Sequence, residues 1–199
     1  SRVSPFIRFK QEKKLYRQAL ILEDLGHGFD AEPLFTGGNM ILEAGSRLAV
    51  IGENGVGKTT FLHCLLNKFS VNFGTIKWAE NASLGYCPQD NNSEFDSELN
   101  LFEWMSQWRK PNHDDQIVRA TLGKLLFSSE DFEKSVAVCS GGEKNRLVFG
   151  KLMMMGTNVL ILDEPTNHLD MEAIEALNLA LTHYELSLIH ISEPTRQFR

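Results

Sequence analysis

Cysteine is scarce and scattered in this 199-residue chain. Cys64, Cys87 and Cys139 are odd in number, and no two have the spacing of a metal knuckle or a redox pair. This pattern argues against a disulfide framework and predicts the reduced thiols of a cytoplasmic protein. Long apolar runs are missing too. Stretches such as "NVLIL" (158–162) are far too short to cross a bilayer, so no membrane partner is expected. No signal peptide, internal repeat or initiator methionine is present, and the chain is expected to be a piece of a longer protein.

Apolar residues make up 42% and charged residues 23%, which suits a soluble globular domain with a real core. The net charge of -6 is unevenly spread. Residues 1–18 hold six Lys/Arg against the single acid Glu12, a local excess of +5 that leaves -11 for the rest. Such a segment is either a basic arm for nucleic acid or a solvated linker. It lacks a clean apolar period and reads as an exposed lead-in.

Short apolar stretches punctuated by glycine follow from Ala19. "SRLAVIG" reads as a buried strand, and "GTIKW" and "SLGYCPQ" as two more. "KTTFLHCLLNKF" has helical spacing, with Phe61, Leu62, Leu65, Leu66 and Phe69 on one face. "LNLFEWMSQWRK" and "DQIVRATLGKLLF" are predicted helices in an insertion over about residues 95–140, and Trp104 and Trp108 share a helix face. "GEKNRLVFGKLMMM" is a further helix, "NVLILDEP" a buried strand, and "MEAIEALNLALTHY" an amphipathic helix with Ile174, Leu177, Leu181 and Tyr184 on one side. Strands alternating with helices predict an α/β fold with a mostly parallel sheet.

"GENGVGKTT" matches the phosphate-loop pattern through Gly52, Gly57, Lys58 and Thr59, with Asn54, Gly55 and Thr60 alongside. Glycines let successive backbone N–H groups turn inward on phosphate oxygens, and the following helix adds its positive end. Lys58 would reach the β- and γ-phosphates of ATP, and the Thr59 hydroxyl would ligate Mg2+. The stretch sits where that chemistry needs it, after an apolar strand and before a helix. About 100 residues on, "VLILDEPTNHLD" ends a strand on Asp163 and Glu164. Two acids there can merely mark a strand leaving the core. Paired with the loop, they read as a Mg2+ ligand (Asp163) and a carboxylate that orients the attacking water (Glu164).

Between them, "CSGGEKNR" opens a helix, with Ser140 as a cap and Glu143 three residues on. In this order the three motifs resemble those of ATP-binding-cassette proteins, whose usual signature is LSGGQ. Glu143 at the fifth place and "DEPTNHLD" resemble the ABC-F branch, which lacks membrane domains and is associated with ribosomes. The likeness runs over about residues 5–185. It implies a P-loop nucleotide-binding domain over 19–185, with a small antiparallel β subdomain and the helical insertion. It also implies that Phe29 stacks on adenine and that Gln89 senses Mg2+ and the attacking water. Ser140, Gly141 and Gly142 would clasp ATP held on a second cassette, and Asp170 would cross between the paired sites. Residues 1–18 resemble the end of an interdomain linker that faces transfer RNA and the ribosome. Cys139 stands where the family has Leu, a change between two readily buried groups.

The family continues past its last helix to a switch histidine, expected at position 193, where this chain has Glu193. His190 falls three residues early in the strand "LIHI", an offset that reverses the side-chain face. Moreover, all eleven residues of "LSLIHISEPTR" (186–196) match the in-frame translation of a common transposase sequencing adapter. Residues 186–199 are therefore expected to be a non-native tail. A piece cut off there, without its partner cassette, is expected to bind ATP with little turnover. Two other readings stay open: a transporter cassette, and a non-catalytic ATP-sensing module.

Overall fold

The computed structural model describes residues 3–29, 32–51, 57–183, 185 and 187–192, with only the backbone of 27–29, 32–37 and 192. In chain order the elements are β1 (Gln18–Phe29), β2 (Glu32–Glu43), β3 (Arg47–Ile51), α1 (Lys58–Leu65), β4 (Phe73–Trp78), β5 (Leu84–Cys87), α2 (Leu101–Ser106), α3 (Asp115–Lys124), α4 (Gly141–Met155), β6 (Val159–Asp163), α5 (Met171–Thr182) and β7 (Ser187–Ser192). Among the described residues no helix is long and apolar enough to cross a membrane. The chain divides into two units. A helical unit comprises Ser1–Lys13, Gly85–Thr157 and Pro165–Glu185, and a sheet unit Lys14–Leu84, Asn158–Glu164 and Leu186–Arg199.

In the sheet unit, β2-β1-β4 form an antiparallel sheet. The sequence predicts short strands from Ala19 onward, but β1 and β2 each run twelve residues. Glycines and register shifts, such as that between Leu22 and Leu25, break the alternation that would have signalled them. Three strands of the parallel sheet, in the order β3-β7-β6, also belong to this unit. Every residue of β6 is buried, as its unbroken apolar run requires. β3 departs from the expected buried strand: Ile51 is 63% exposed, and among the described residues β3 is an edge strand beside β7. α1 stops at Leu65, short of the expected Phe69. Asn67 takes a left-handed backbone (φ 58°), and Phe69 is exposed.

The helical unit packs α2, α3 and α4 around Phe95, Trp104, Met105, Leu122, Leu125, Leu147 and Phe149. Trp104 is core, stacked on Phe95 at 4.7 Å and edge-on to Trp108 at 4.4 Å. α4 passes through this core at Gly150, where a methyl would come within 2.6 Å of both Leu125 and Met105. On α5 the buried stripe is Ala173, Ala176, Leu177 and Ala180, one step round from the expected Ile174–Leu181 face; Tyr184 lies outside the described residues.

Residues 5–12 correct the expectation of an exposed lead-in. Pro5, Ile7 and Phe9 are buried while Phe6, Arg8 and Lys10 are exposed, an alternation too short to stand out in so basic a stretch. The segment is an extended strap. Phe6 N–H donates to the Lys124 carbonyl (2.8 Å) and Glu12 N–H to the Gly156 carbonyl (2.9 Å), while the Glu12 carboxylate pairs with Lys110. The strap thus satisfies carbonyls left open at the ends of α3 and α4.

Candidate functional site

Each unit carries a group of the predicted site residues. In the sheet unit, Gly57 takes a left-handed backbone (φ 88°) and turns the chain into α1, a geometry that favours glycine. Lys58, Thr59 and Thr60 form the first turn of that helix. Gly52, Asn54 and Gly55 lie outside the described residues, as do Glu193 and the side chain of Phe29.

β6 delivers Asp163 and leads straight into Glu164. Asp163 is 7% exposed, and burial, with the neighbouring Glu164 charge, raises its carboxyl above the usual range against the pull of Lys58. Glu164 takes a left-handed backbone (φ 47°), a strained state for a side-chain-bearing residue, and its N–H donates to the Ile191 carbonyl (2.9 Å). Its Oε1 is buried without a hydrogen bond, 3.9 Å from the Lys58 ammonium. Two motifs about 100 residues apart in sequence therefore meet at one point. A hard cation suits the oxygens this chain can offer: a carboxylate that burial disfavours as an anion and a threonine hydroxyl.

β7 pairs in parallel with both β3 and β6, through His190↔Ala49 and His190↔Leu162. The residues read as a non-native tail thus supply the strand between the two motif-bearing strands. His190 is half-buried; burial lowers its pKa, and the Glu164 charge pulls it partly back up. It therefore lies within electrostatic range of Glu164, closer to the site than the offset argument implied.

The helical unit holds Gln89, Ser140, Gly141, Gly142 and Asp170. Ser140 caps α4 with a capping box: its hydroxyl accepts from Glu143 N–H (3.2 Å), and Glu143 Oε1 accepts from Ser140 N–H (3.0 Å). Lys134 pairs with the same Glu143 at 2.8 Å. Burial pushes the Glu143 carboxyl up, but Lys134 and Ser140 together outweigh it and leave it below the ordinary value. A methyl at Gly141 would lie 3.9 Å from His168 Cβ, and one at Gly142 3.6 Å from the His168 carbonyl. Both are ordinary contacts, so nothing within this unit demands glycine at either place. Asp170 caps α5 by accepting from Ala173 N–H at 2.8 Å. A cavity of about 380 Å3 opens between Gln89, Asp90, Asn91, Gly141, Asn145 and His168. Asn91, Asn145 and His168 are not among the residues that the sequence motifs single out. Asn145 carried a signal, a lone amide on the apolar face of α4.

The family model described as "ABC transporter" matches residues 35–167. The chain is 56% identical over 192 residues to the "Probable ATP-binding protein YbiT" of Escherichia coli O157:H7, covering 96% of this chain and 36% of that protein. It is 34% identical to "ABC transporter F family member 2" of Arabidopsis thaliana, covering 94% of this chain and 27% of that protein. It therefore spans about a third of the first relative's length and about a quarter of the second's. Among solved structures, an inward-facing putative metal-chelate type ABC transporter superposes with a TM-score of 0.71 at 24% identity, covering 88% of this chain and 73% of that one, a likeness of fold.

Proposed function

The chain belongs to the ATP-binding-cassette family, on the branch its F-family relatives represent, and we propose that it is one of two cassettes that close on ATP and Mg2+ and reopen on hydrolysis. The observation that carries this reading is the Lys58–Glu164 approach of 3.9 Å at the end of β6. There Lys58 would neutralise charge on the β- and γ-phosphates, Thr59 and Asp163 would hold the metal, and Glu164 would orient water. Catalysis of this kind is positioning plus electrostatic stabilisation. When bound, Mg2+ would supply positive charge that offsets the charge on the phosphates. The αL strain at Glu164 suits a residue held for chemistry rather than for stability.

Gln89 senses the metal and water, Phe29 stacks on the base, and Asp170 crosses to the second cassette. Gly141 and Gly142 leave a bare backbone where the partner's nucleotide docks. That is consistent with the lack of any demand for glycine from within the helical unit. The second cassette lies in the longer protein, of which the relatives' lengths give the scale. The work done is on the ribosome in the cytoplasm, as the ABC-F likeness implies. Residues 186–199 are adapter-derived in this reading, and sequencing the genomic frame beyond codon 185 tests that.

The deciding experiment is ATP binding and phosphate release by this chain and by the full-length protein, each with its Glu164→Gln variant. The chain alone should bind ATP and turn it over slowly. Fast release from the chain alone, abolished by Glu164→Gln, would overturn the need for a partner. Co-sedimentation of the full-length protein with membranes rather than ribosomes would overturn the translation role.

A further inference from the structure

Within the helical unit, two buried amides form a chain of hydrogen bonds that the roles above do not use. Asn91 and Asn145 are 7% and 8% exposed. Asn145 Oδ1 accepts from Asn91 Nδ2 at 2.5 Å, and Asn145 Nδ2 donates to the Asn167 carbonyl at 3.0 Å. One side chain thus uses both ends of its amide to join two loops. The first carries Gln89 two residues before Asn91, and the second carries His168 and Asp170 just after Asn167. Asn145 itself stands one helical turn beyond Gly141, on the same face of α4.

The chemistry admits few substitutes. Aspartate would keep the acceptor for Asn91 but have nothing to donate to Asn167. A leucine would strand the buried Asn91 amide, where an unmet polar group is costly, and would release the Asn167 carbonyl from its tether. The bond to Asn167 also fixes the peptide entering His168, which takes a left-handed backbone (φ 67°) and packs beside Gly141 and Gly142. On the other side, Asn91 leads into a short 3-10 turn, Asn92–Phe95, tied to α2. Trp104 Nε1 donates to the Glu94 carbonyl at 3.1 Å, and Phe95 stacks on Trp104.

We propose that Asn145 is a positioning residue that locks the first turns of α4 to the Gln89 loop and the Asn167–Asp170 loop, so that a nucleotide-driven shift in one is imposed on the others. This rests on the proposed ATP site. It assigns Asn145 a part in transmitting the state of the site, and no part in holding ATP at Lys58.

The test uses the chain in a Trp78→Phe background, so that indole emission comes from Trp104 and Trp108, the two remaining tryptophans. Binding of a fluorescent ATP analogue and the emission change on saturating MgATP are measured separately. Asn145→Ala should leave Kd within about twofold while the emission change falls about fivefold or more, the scale of one coupling interaction. Asn91→Ala, in a loop and so without risk to the helix, should give the same split, and the double variant should add little more. An unchanged emission response in either variant, or one that falls only in step with affinity, overturns the proposal. So does a parent that binds ATP with no response. A parent that fails to bind at all overturns the ATP site first, and the proposal with it.

Discussion

The Lys58 ammonium and Glu164 Oε1 face each other at 3.9 Å, and that oxygen accepts no hydrogen bond. Between these two groups the interaction is electrostatic. Lys58→Met should weaken ATP binding about 10- to 100-fold, the scale of hydrogen bonds to a charged group. It should also lower the melting temperature, because a buried carboxylate loses its counter-charge. Adding Glu164→Gln should recover the melting temperature and leave affinity low. Thermal melts and nucleotide titrations of the single and double variants check both halves.

Gly142→Ala separates stability from function. Its methyl finds only ordinary contact with the His168 carbonyl at 3.6 Å, and alanine in a helix is favoured over glycine by about 0.5–1 kcal/mol. Stability should hold or rise slightly, while ATP hydrolysis by the full-length protein falls sharply. A variant that keeps full turnover would free this glycine from any role in clasping nucleotide.

The Glu143 cap has a pH signature. Its folded pKa lies below the ordinary 4.5, so its contribution to stability is present above that value and is lost as pH falls through the folded pKa. Glu143→Gln keeps an oxygen for Ser140 N–H but loses the pair with Lys134, so it should be less stable than the parent at pH 7 by up to about 1 kcal/mol, the scale of such an ion pair. The gap should close as the pH drops below 4.5. Melts across pH 3–7 would show the convergence.

What the sequence made legible was mostly local. The Gly57-Lys58 turn, the all-buried run of β6 and the Ser140 cap each follow from neighbouring residues, and the structure places them as read. Less legible was whatever depended on distant partners. β3 has the apolar run of a buried strand but is an edge, because strand order cannot be read from one strand's composition. The strap's buried face, Pro5-Ile7-Phe9, needs α3 and α4 to give it meaning. Asn145 looked like one more polar residue until Asn91 and Asn167 stood at its two ends.

Gly156 is where the strap crosses the end of α4. It is left-handed (φ 60°), and a methyl there would come within 3.3 Å of Glu12 Cβ and 3.4 Å of the Lys10 carbonyl. Gly156→Ala should cost about 1–2 kcal/mol, the penalty of a side chain in that conformation. It should also expose residues 5–12 to protease before the rest of the domain melts. Limited proteolysis followed by mass spectrometry would show whether the strap loosens first.

Ile189 is fully buried in β7. Ile189→Ala should destabilise the chain by about 2–5 kcal/mol in urea unfolding, as large-to-small changes in a packed core do. A shift near zero would mean that 187–192 only rests against the sheet.

β7 leaves the ribosome after both of its neighbours, yet lies between them. Among the described residues β3 and β6 are joined through it, so the strand that leads to the Lys58 turn and the strand that ends on Asp163 have no common frame until Ser187–Ser192 has been made. A nascent chain would wait with both halves of its chemistry synthesised and unassembled. Whatever residues the genomic frame supplies at these positions fill the keystone of the sheet rather than its fringe.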